Sequence, residues 1–242
     1  MLRGRPALVV APHPDDESLG CGGLIAEVAR LGEGLHIAVV TDGAGSHAGS
    51  HTHRPELLRQ LRRDETLDAV AVLGMPLERV NFLDIPDGRA PQRGAAAEAV
   101  GRRLASLARD IAAGTIFTSW DYDTHPDHVA AHCYATAAAR DTQAALFSYP
   151  VWAWMLPGRT LMPNLHWKGF SIDIEPHVAA KRAAVLKHRS QTTPLIADDP
   201  LGFTLSDAQL ETMITPKEFF IAENQRAREF VSRQSARLAA AE

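Results

Sequence analysis

Two short runs concentrate the residues that can do chemistry. Pro12-His13-Pro14-Asp15-Asp16-Glu17 offers an imidazole and three carboxylates, and His125-Pro126-Asp127-His128 offers two imidazoles around a fourth. Imidazole with carboxylate is a donor set that suits zinc, and a catalytic zinc takes three protein ligands while keeping one position open for water. One histidine from each run plus one aspartate makes such a set. His125 and His128 stand three apart, so the first turn of a helix lets both face the same way. Each run also has a plainer use. Acids at a helix start are favoured by the helix dipole, and Pro14 and Pro126 suit a first helical turn. That reading accounts for the acids one at a time. It leaves His13 unexplained, because a histidine before a proline has no capping value.

The elements that must position these runs follow from periodicity. Residues 7–11 are a continuous apolar run ended by Pro12, which predicts a strand buried on both faces. Apolar spacing predicts helices over 18–31, 56–73, 94–113 and 129–140, and strands over 35–40, 80–83, 115–119 and 144–149. This alternation predicts an α/β fold, a Rossmann-like three-layer sandwich with a mostly parallel sheet and helices on both faces. Ligands of such sheets bind beyond the carboxyl ends of the strands. Those ends carry His13, Asp15, Asp16 and Glu17; Thr41 and Asp42; Asp84 and Asp87; and Asp121, Asp123, His125, Asp127 and His128. Both runs therefore fall on one rim. After Pro150 the rhythm breaks, with a strand expected over 167–174, a helix over 177–188, an edge strand over 219–221 and an exposed terminal helix over 223–241. A single domain spanning 1–242 is expected. Residues 1–150 form its α/β core and 151–242 a C-terminal extension.

The two runs, in this order and at this separation, resemble the motifs of the PIG-L/LmbE-like family of zinc-dependent N-acetylglucosaminyl deacetylases. The likeness extends over residues 6–150 and includes Thr41-Asp42-Gly43 and the helix from Arg62-Arg63-Asp64-Glu65 to Leu73-Gly74. It implies a zinc ion, or another divalent transition metal, on His13, Asp16 and His128. It also implies Asp15 as general base, His125 at the oxyanion or leaving group with Asp127 orienting it, and Arg62 as a substrate contact. The implied reaction is hydrolysis of a linear amide C–N bond. Metal-activated water removes an N-acyl group, in the first place N-acetyl, from a small amino sugar or glycoconjugate. An amide has a poorly electrophilic carbonyl, which a metal polarises while lowering the pKa of bound water. Asp15 would take the water proton. His125, its pKa raised by a carboxylate such as Asp127, would meet the oxyanion. The alternatives are a metal-dependent esterase or amidase on another conjugate, and a non-catalytic nucleotide- or sugar-binding module. An acidic rim speaks against nucleotide phosphates.

Three further features have two readings each. Gly20-Cys21-Gly22-Gly23 resembles part of a dinucleotide fingerprint, but it falls inside a helix behind three carboxylates, where tight packing is the better use. His47, His51 and His53 offer metal ligands in a Gly/Ser-rich loop over 44–55, which is expected to be a mobile lid. Tyr149, Trp152 and Trp154 follow the fifth strand and either stack on a sugar, with Trp152 the chosen contact, or fill core.

Composition narrows the classes. The chain has 242 residues, 45% hydrophobic and 22% charged, which suits a globular domain rather than a disordered chain. A net charge of −4 gives no drive toward nucleic acid or anionic membrane. No apolar run reaches the length of a membrane span. The two cysteines, Cys21 and Cys133, cannot build a disulfide framework, and the opening residues lead straight into a strand, so a cytoplasmic location is expected. Homo-oligomerisation stays open.

Overall fold

The computed structural model describes residues 4–156 and 168–239. Its centre is a seven-stranded sheet of order β3-β2-β1-β4-β5-β7-β6. The strands are β1 (Ala7–Ala11), β2 (Leu35–Thr41), β3 (Val80–Ile85), β4 (Thr115–Ser119), β5 (Ala145–Tyr149), β6 (Gly169–Asp173) and β7 (Lys217–Ala222). The first five are parallel. The main helices are α1 (Asp16–Arg30), α2 (Pro55–Val72), α3 (Gly94–Asp110), α4 (Pro126–Thr142) and α5 (Val178–Val185), followed by α6 (Arg189–Thr192), α7 (Asp207–Met213) and α8 (Gln225–Ala239).

Every residue of β1 is buried, as an uninterrupted apolar run in a central parallel strand requires. Alternate side chains enter two cores. Ala7 and Val9 join the layer made by α1, α2 and α5, whereas Leu8 and Val10 join that of α3 and α4. The expected three-layer α/β sandwich is therefore present. The chain builds β1 to β3 in one direction, then crosses back and builds β4 and β5 in the other. The carboxyl ends of β1 and β4 thus flank a topological switch point, and these strands lead directly into the two polar runs.

The helices carrying those runs start earlier than periodicity alone predicts. α1 begins at Asp16, with Asp16 and Glu17 in its first turn, where the dipole favours acids. α4 begins with Pro126 at its first position, and the His125 side chain caps it by accepting the Asp127 amide. The glycines of α1 serve close packing. A Cβ on Gly20 would lie 2.2 Å from the Tyr149 ring, and one on Gly23 would lie 2.5 Å from Ile174.

Two expectations for the C-terminal third need correction. The 219–221 strand is not an edge: β7 lies between β5 and β6, antiparallel to both, and β6 is the edge. Glu218, Phe220 and Ala222 all turn inward, with Phe220 among Phe117 and Phe170. Glu218 accepts the amides of Gly23 and Leu24 and pairs with Lys181, which ties β7 to α1 and α5. The terminal helix is not wholly exposed either, since Ala227 is buried and Phe230 packs on Phe147 and Phe170. The expected strand start at Trp167 and the last residues of the predicted terminal helix lie outside the described residues. No helix among the described residues is long and apolar enough to cross a membrane.

Candidate active site

His13, Asp15 and Asp16 lie at the β1–α1 junction, and His125 and His128 lie at the start of α4 beyond β4. The sheet brings them together. Asp16 Oδ2 sits 3.2 Å from His13 Nδ1 and 3.2 Å from His128 Nε2. Two ligand atoms on a tetrahedral ion with bonds of ~2.0 Å stand about 3.3 Å apart. His128 is fully buried, and its Nε2 meets Asp16 in contact but outside hydrogen-bond geometry. Ring nitrogens of His13, His125 and His128 lie within 4.8 Å of one another.

The other ring nitrogen of His128 and of His13 is occupied. His128 Nδ1 meets Asp123 Oδ2 at 3.0 Å, and Asp123 is itself fixed by the amides of Val151 and Ala153. His13 Nε2 lies 3.2 Å from Asp127 Oδ2 and 3.3 Å from Asp87 Oδ1. Asp127 accepts the amides of Gly88 and Ala90, and Asp87 accepts that of Gly45. Once neutral, an imidazole whose second nitrogen donates to a carboxylate presents its first as a lone pair, the usual arrangement of a metal-bound histidine, so an ion binding here would displace the proton from that nitrogen. The residues present therefore fit a zinc-type ion.

The protonation of the cluster follows its contacts. Burial pushes the His13 imidazolium down, but hydrogen bonds to Asp127, Asp16 and Asp87 outweigh it and hold the pKa well above 6.5. Burial likewise lowers His128, while Asp16 and Asp123 carry it to about 9. Burial raises Asp16, but His128 and His13 hold it well below the carboxylate range. Asp15 goes the other way: burial lifts it to about 6 against the pull of Arg62. Its backbone is unusual, with φ 135° and ψ −29° at the cap of α1. A non-glycine residue in that region costs about 1–3 kcal/mol and persists only when its surroundings hold it.

Several sequence-predicted residues stand elsewhere than expected. Asp127 does not orient the His125 ring with its carboxylate, which faces His13; only its amide reaches His125, donating to Nδ1 at 3.2 Å. The pKa of His125 is not raised but lowered, by burial and then by His13 and His128. A neutral imidazole that accepts at Nδ1 carries its proton on Nε2. Arg62 lines the cleft but is only 3% exposed; its guanidinium binds Asp15 Oδ2 at 3.0 Å and the carbonyls of Pro14 and Gly43. Tyr149 is core, its hydroxyl donating to Val10, and Trp154 packs on Phe219 outside the cleft. Trp152 does line the cleft, edge-on to Phe203. Asp84 pairs with Arg63, and Asp121 groups with His132 and Glu223, so neither joins the cluster.

The 44–55 loop is fastened rather than free. Asp198 accepts from Ser50, His51 and Thr52, and Asp199 accepts the Gly49 amide. His47 is buried against Gly202. Among the described residues, His47, His51 and His53 form no group of metal ligands. Gly45 and Ser46 form one wall of a cleft of about 360 Å³ over His13, Asp15, Asp16 and His125, and Trp152, Leu201, Phe203 and Leu205 form an apolar side.

Sequence reasoning missed the contribution of residues 188–191. Buried His188 reaches Glu17 at 3.1 Å, and Glu65 accepts both the amide and the hydroxyl of Ser190. The available signal was Glu17 itself, a third acid in a run that must be buried and so needs donors from elsewhere.

Comparison with known proteins gives the family of the chain. A model of the PIG-L family, described as GlcNAc-PI de-N-acetylase, matches residues 8–139, more than half of the chain. A 1D-myo-inositol 2-acetamido-2-deoxy-alpha-D-glucopyranoside deacetylase of Rhodococcus erythropolis is 26% identical over 274 residues, spanning 89% of this chain and 90% of that protein. A conserved protein from Thermus thermophilus superposes with a TM-score of 0.62 at 27% identity, covering 90% of this chain and 94% of its own. N,N'-diacetylchitobiose deacetylase from Pyrococcus horikoshii shares the fold at a TM-score of 0.65 and 20% identity, covering 89% of this chain and 82% of its own. The matched residues hold both polar runs and the strands that lead into them, and on that ground this chain belongs to the PIG-L family of de-N-acetylases.

Proposed function

We propose that the chain is a zinc-dependent hydrolase that removes an N-acetyl group from a small amino sugar or its conjugate. The observation that carries this reading is the Asp16 oxygen that stands 3.2 Å from both His13 Nδ1 and the Nε2 of fully buried His128. His13, Asp16 and His128 would hold the ion, which when bound supplies Lewis acidity and a lowered pKa for water. Asp15, lifted to about 6, sits where a base must sit to accept a proton near neutral pH. Arg62 keeps its carboxylate in place rather than gripping substrate. His125 donates from Nε2 as a neutral imidazole toward the developing oxyanion, so it does not need the raised pKa that the sequence suggested. The apolar side of the cleft, Trp152 included, would take the acetyl methyl or the apolar face of the sugar ring.

The relatives named as sugar deacetylases support the substrate class. The test is acetate release from a panel of N-acetylglucosamine conjugates by protein of measured metal content, beside a matched panel of O-acetyl esters. Release of free amine that tracks zinc content is expected. Ester cleavage alone, or turnover unchanged by a chelator, overturns the proposal.

A further inference from the structure

Glu17 is fully buried in the first turn of α1 and is satisfied by three donors. Its Oε2 accepts the backbone amide of Asp15 at 3.0 Å. Its Oε1 accepts the Ser18 hydroxyl at 2.7 Å and His188 Nε2 at 3.1 Å. An acid at a helix start needs none of this: the dipole favours it equally well exposed. A buried carboxylate carries a desolvation cost, and one held by three donors serves where its geometry matters. The amide it binds belongs to the one residue at the site with a non-glycine positive φ, at 135°. Arg62 grips the same residue from the other side, at its carboxylate and at the preceding carbonyl of Pro14. His188 is fully buried and comes from the C-terminal third, where Glu65 anchors Ser190, two residues on, to α2.

We infer that Glu17, seated by His188, is a positioning residue that fixes the backbone of Asp15 and so aims its carboxylate. The C-terminal third thereby completes the catalytic apparatus of the N-terminal core. This rests on the proposed role of Asp15 as base. Misplacing a reacting group by about 1 Å costs up to ~10²-fold in rate. The Asp15 amide needs only an acceptor, which a glutamine carbonyl also supplies.

The test compares Glu17→Ala, Glu17→Gln, His188→Ala and Asp15→Asn in acetate release from the best N-acetylglucosamine conjugate of the panel, with bound zinc measured for each. Glu17→Ala is expected to lower kcat about tenfold or more with KM and zinc stoichiometry unchanged. Glu17→Gln should recover most of that loss. His188→Ala, which leaves the Glu17–Asp15 bond but removes one of its supports, should lower kcat less, again at constant KM; it serves if Glu17→Ala does not fold. Full kcat in both Glu17→Ala and His188→Ala, or parallel loss of zinc, KM and kcat, overturns the inference. So does a Glu17→Gln as slow as Glu17→Ala. Asp15→Asn separates the two levels. If it stays fully active, the reading of Asp15 as base fails. If it is inactive while the Glu17 and His188 variants keep full kcat, only the positioning inference fails.

Discussion

Asp127 Oδ2 lies 3.2 Å from His13 Nε2, across 114 positions of sequence. The second polar run thus buttresses the imidazole of the first, and the Gly88 and Ala90 amides hold the buttress. A carboxylate behind a metal-bound histidine fixes its tautomer and raises its basicity, and losing one typically costs 10–100-fold in metal affinity. Asp127→Asn is expected to weaken zinc binding by about that factor while activity returns largely at saturating zinc. Competition against a chromogenic chelator measures it. Unchanged affinity with lost turnover would instead make Asp127 a group that acts on substrate.

Asp15→Asn should keep the ion, because Asp15 Oδ2 pairs with Arg62 while Asp16 is the acid that meets His13 and His128, and should lose ~10²–10⁴ of turnover, the usual worth of a general base. Metal analysis and steady-state kinetics on the same preparation decide it. Equal loss of zinc and activity would make Asp15 a ligand.

The helix cap made by His125 and the donor role proposed for it can be separated by one substitution. Its Nδ1 caps α4, and a nitrogen of its ring lies within 4.8 Å of those of His13 and His128. His125→Asn retains an acceptor at the cap, where asparagine is among the best residues. The variant is expected to melt near wild type and to retain zinc, while turnover falls ~10²–10³-fold through loss of a donor to the oxyanion. Loss of zinc would place His125 on the ion as a further ligand.

The sheet was largely legible because each of its first five strands carries neighbouring apolar residues between turn signals, and the switch point follows from their alternation with helices. The place of β7 was not. An antiparallel strand inserted between β5 and β6 depends on Phe220 finding Phe117 and on Glu218 finding the amides of α1, neither of which has a local signal. At the site, the residue types were legible, but not which acid serves which imidazole. Asp87, Asp123 and Asp127 all follow strand ends in the sequence, and only the fold sends Asp123 to His128 and the other two to His13. The loop histidines misled for a related reason: a Gly- and Ser-rich segment looks unattached until the acids that hold it are found far along the chain.

Those acids give the last prediction. Asp198 accepts the amides of His51 and Thr52 and the hydroxyls of Ser50 and Thr52, which hold its carboxyl well below the usual carboxylate range, the Thr52 amide foremost. A depressed folded-state pKa adds stability that is fully present above the unfolded value of ~3.9 and is lost as pH falls through the folded one. The anchoring of the loop should therefore be constant from pH 8 down to about 5. Hydrogen exchange at His51 and Thr52, corrected for intrinsic rates, is expected to show protection throughout that range. Asp198→Asn leaves a single acceptor oxygen for these donors and should lower the protection of both amides at every pH. The wall formed by Gly45 and Ser46 has other supports, namely Asp87 for the Gly45 amide and Phe203 for the Ser46 carbonyl, so turnover should change less than protection does. Unprotected exchange of the wild-type loop, with turnover insensitive to Asp198→Asn, would restore the mobile lid that the composition of the loop suggested.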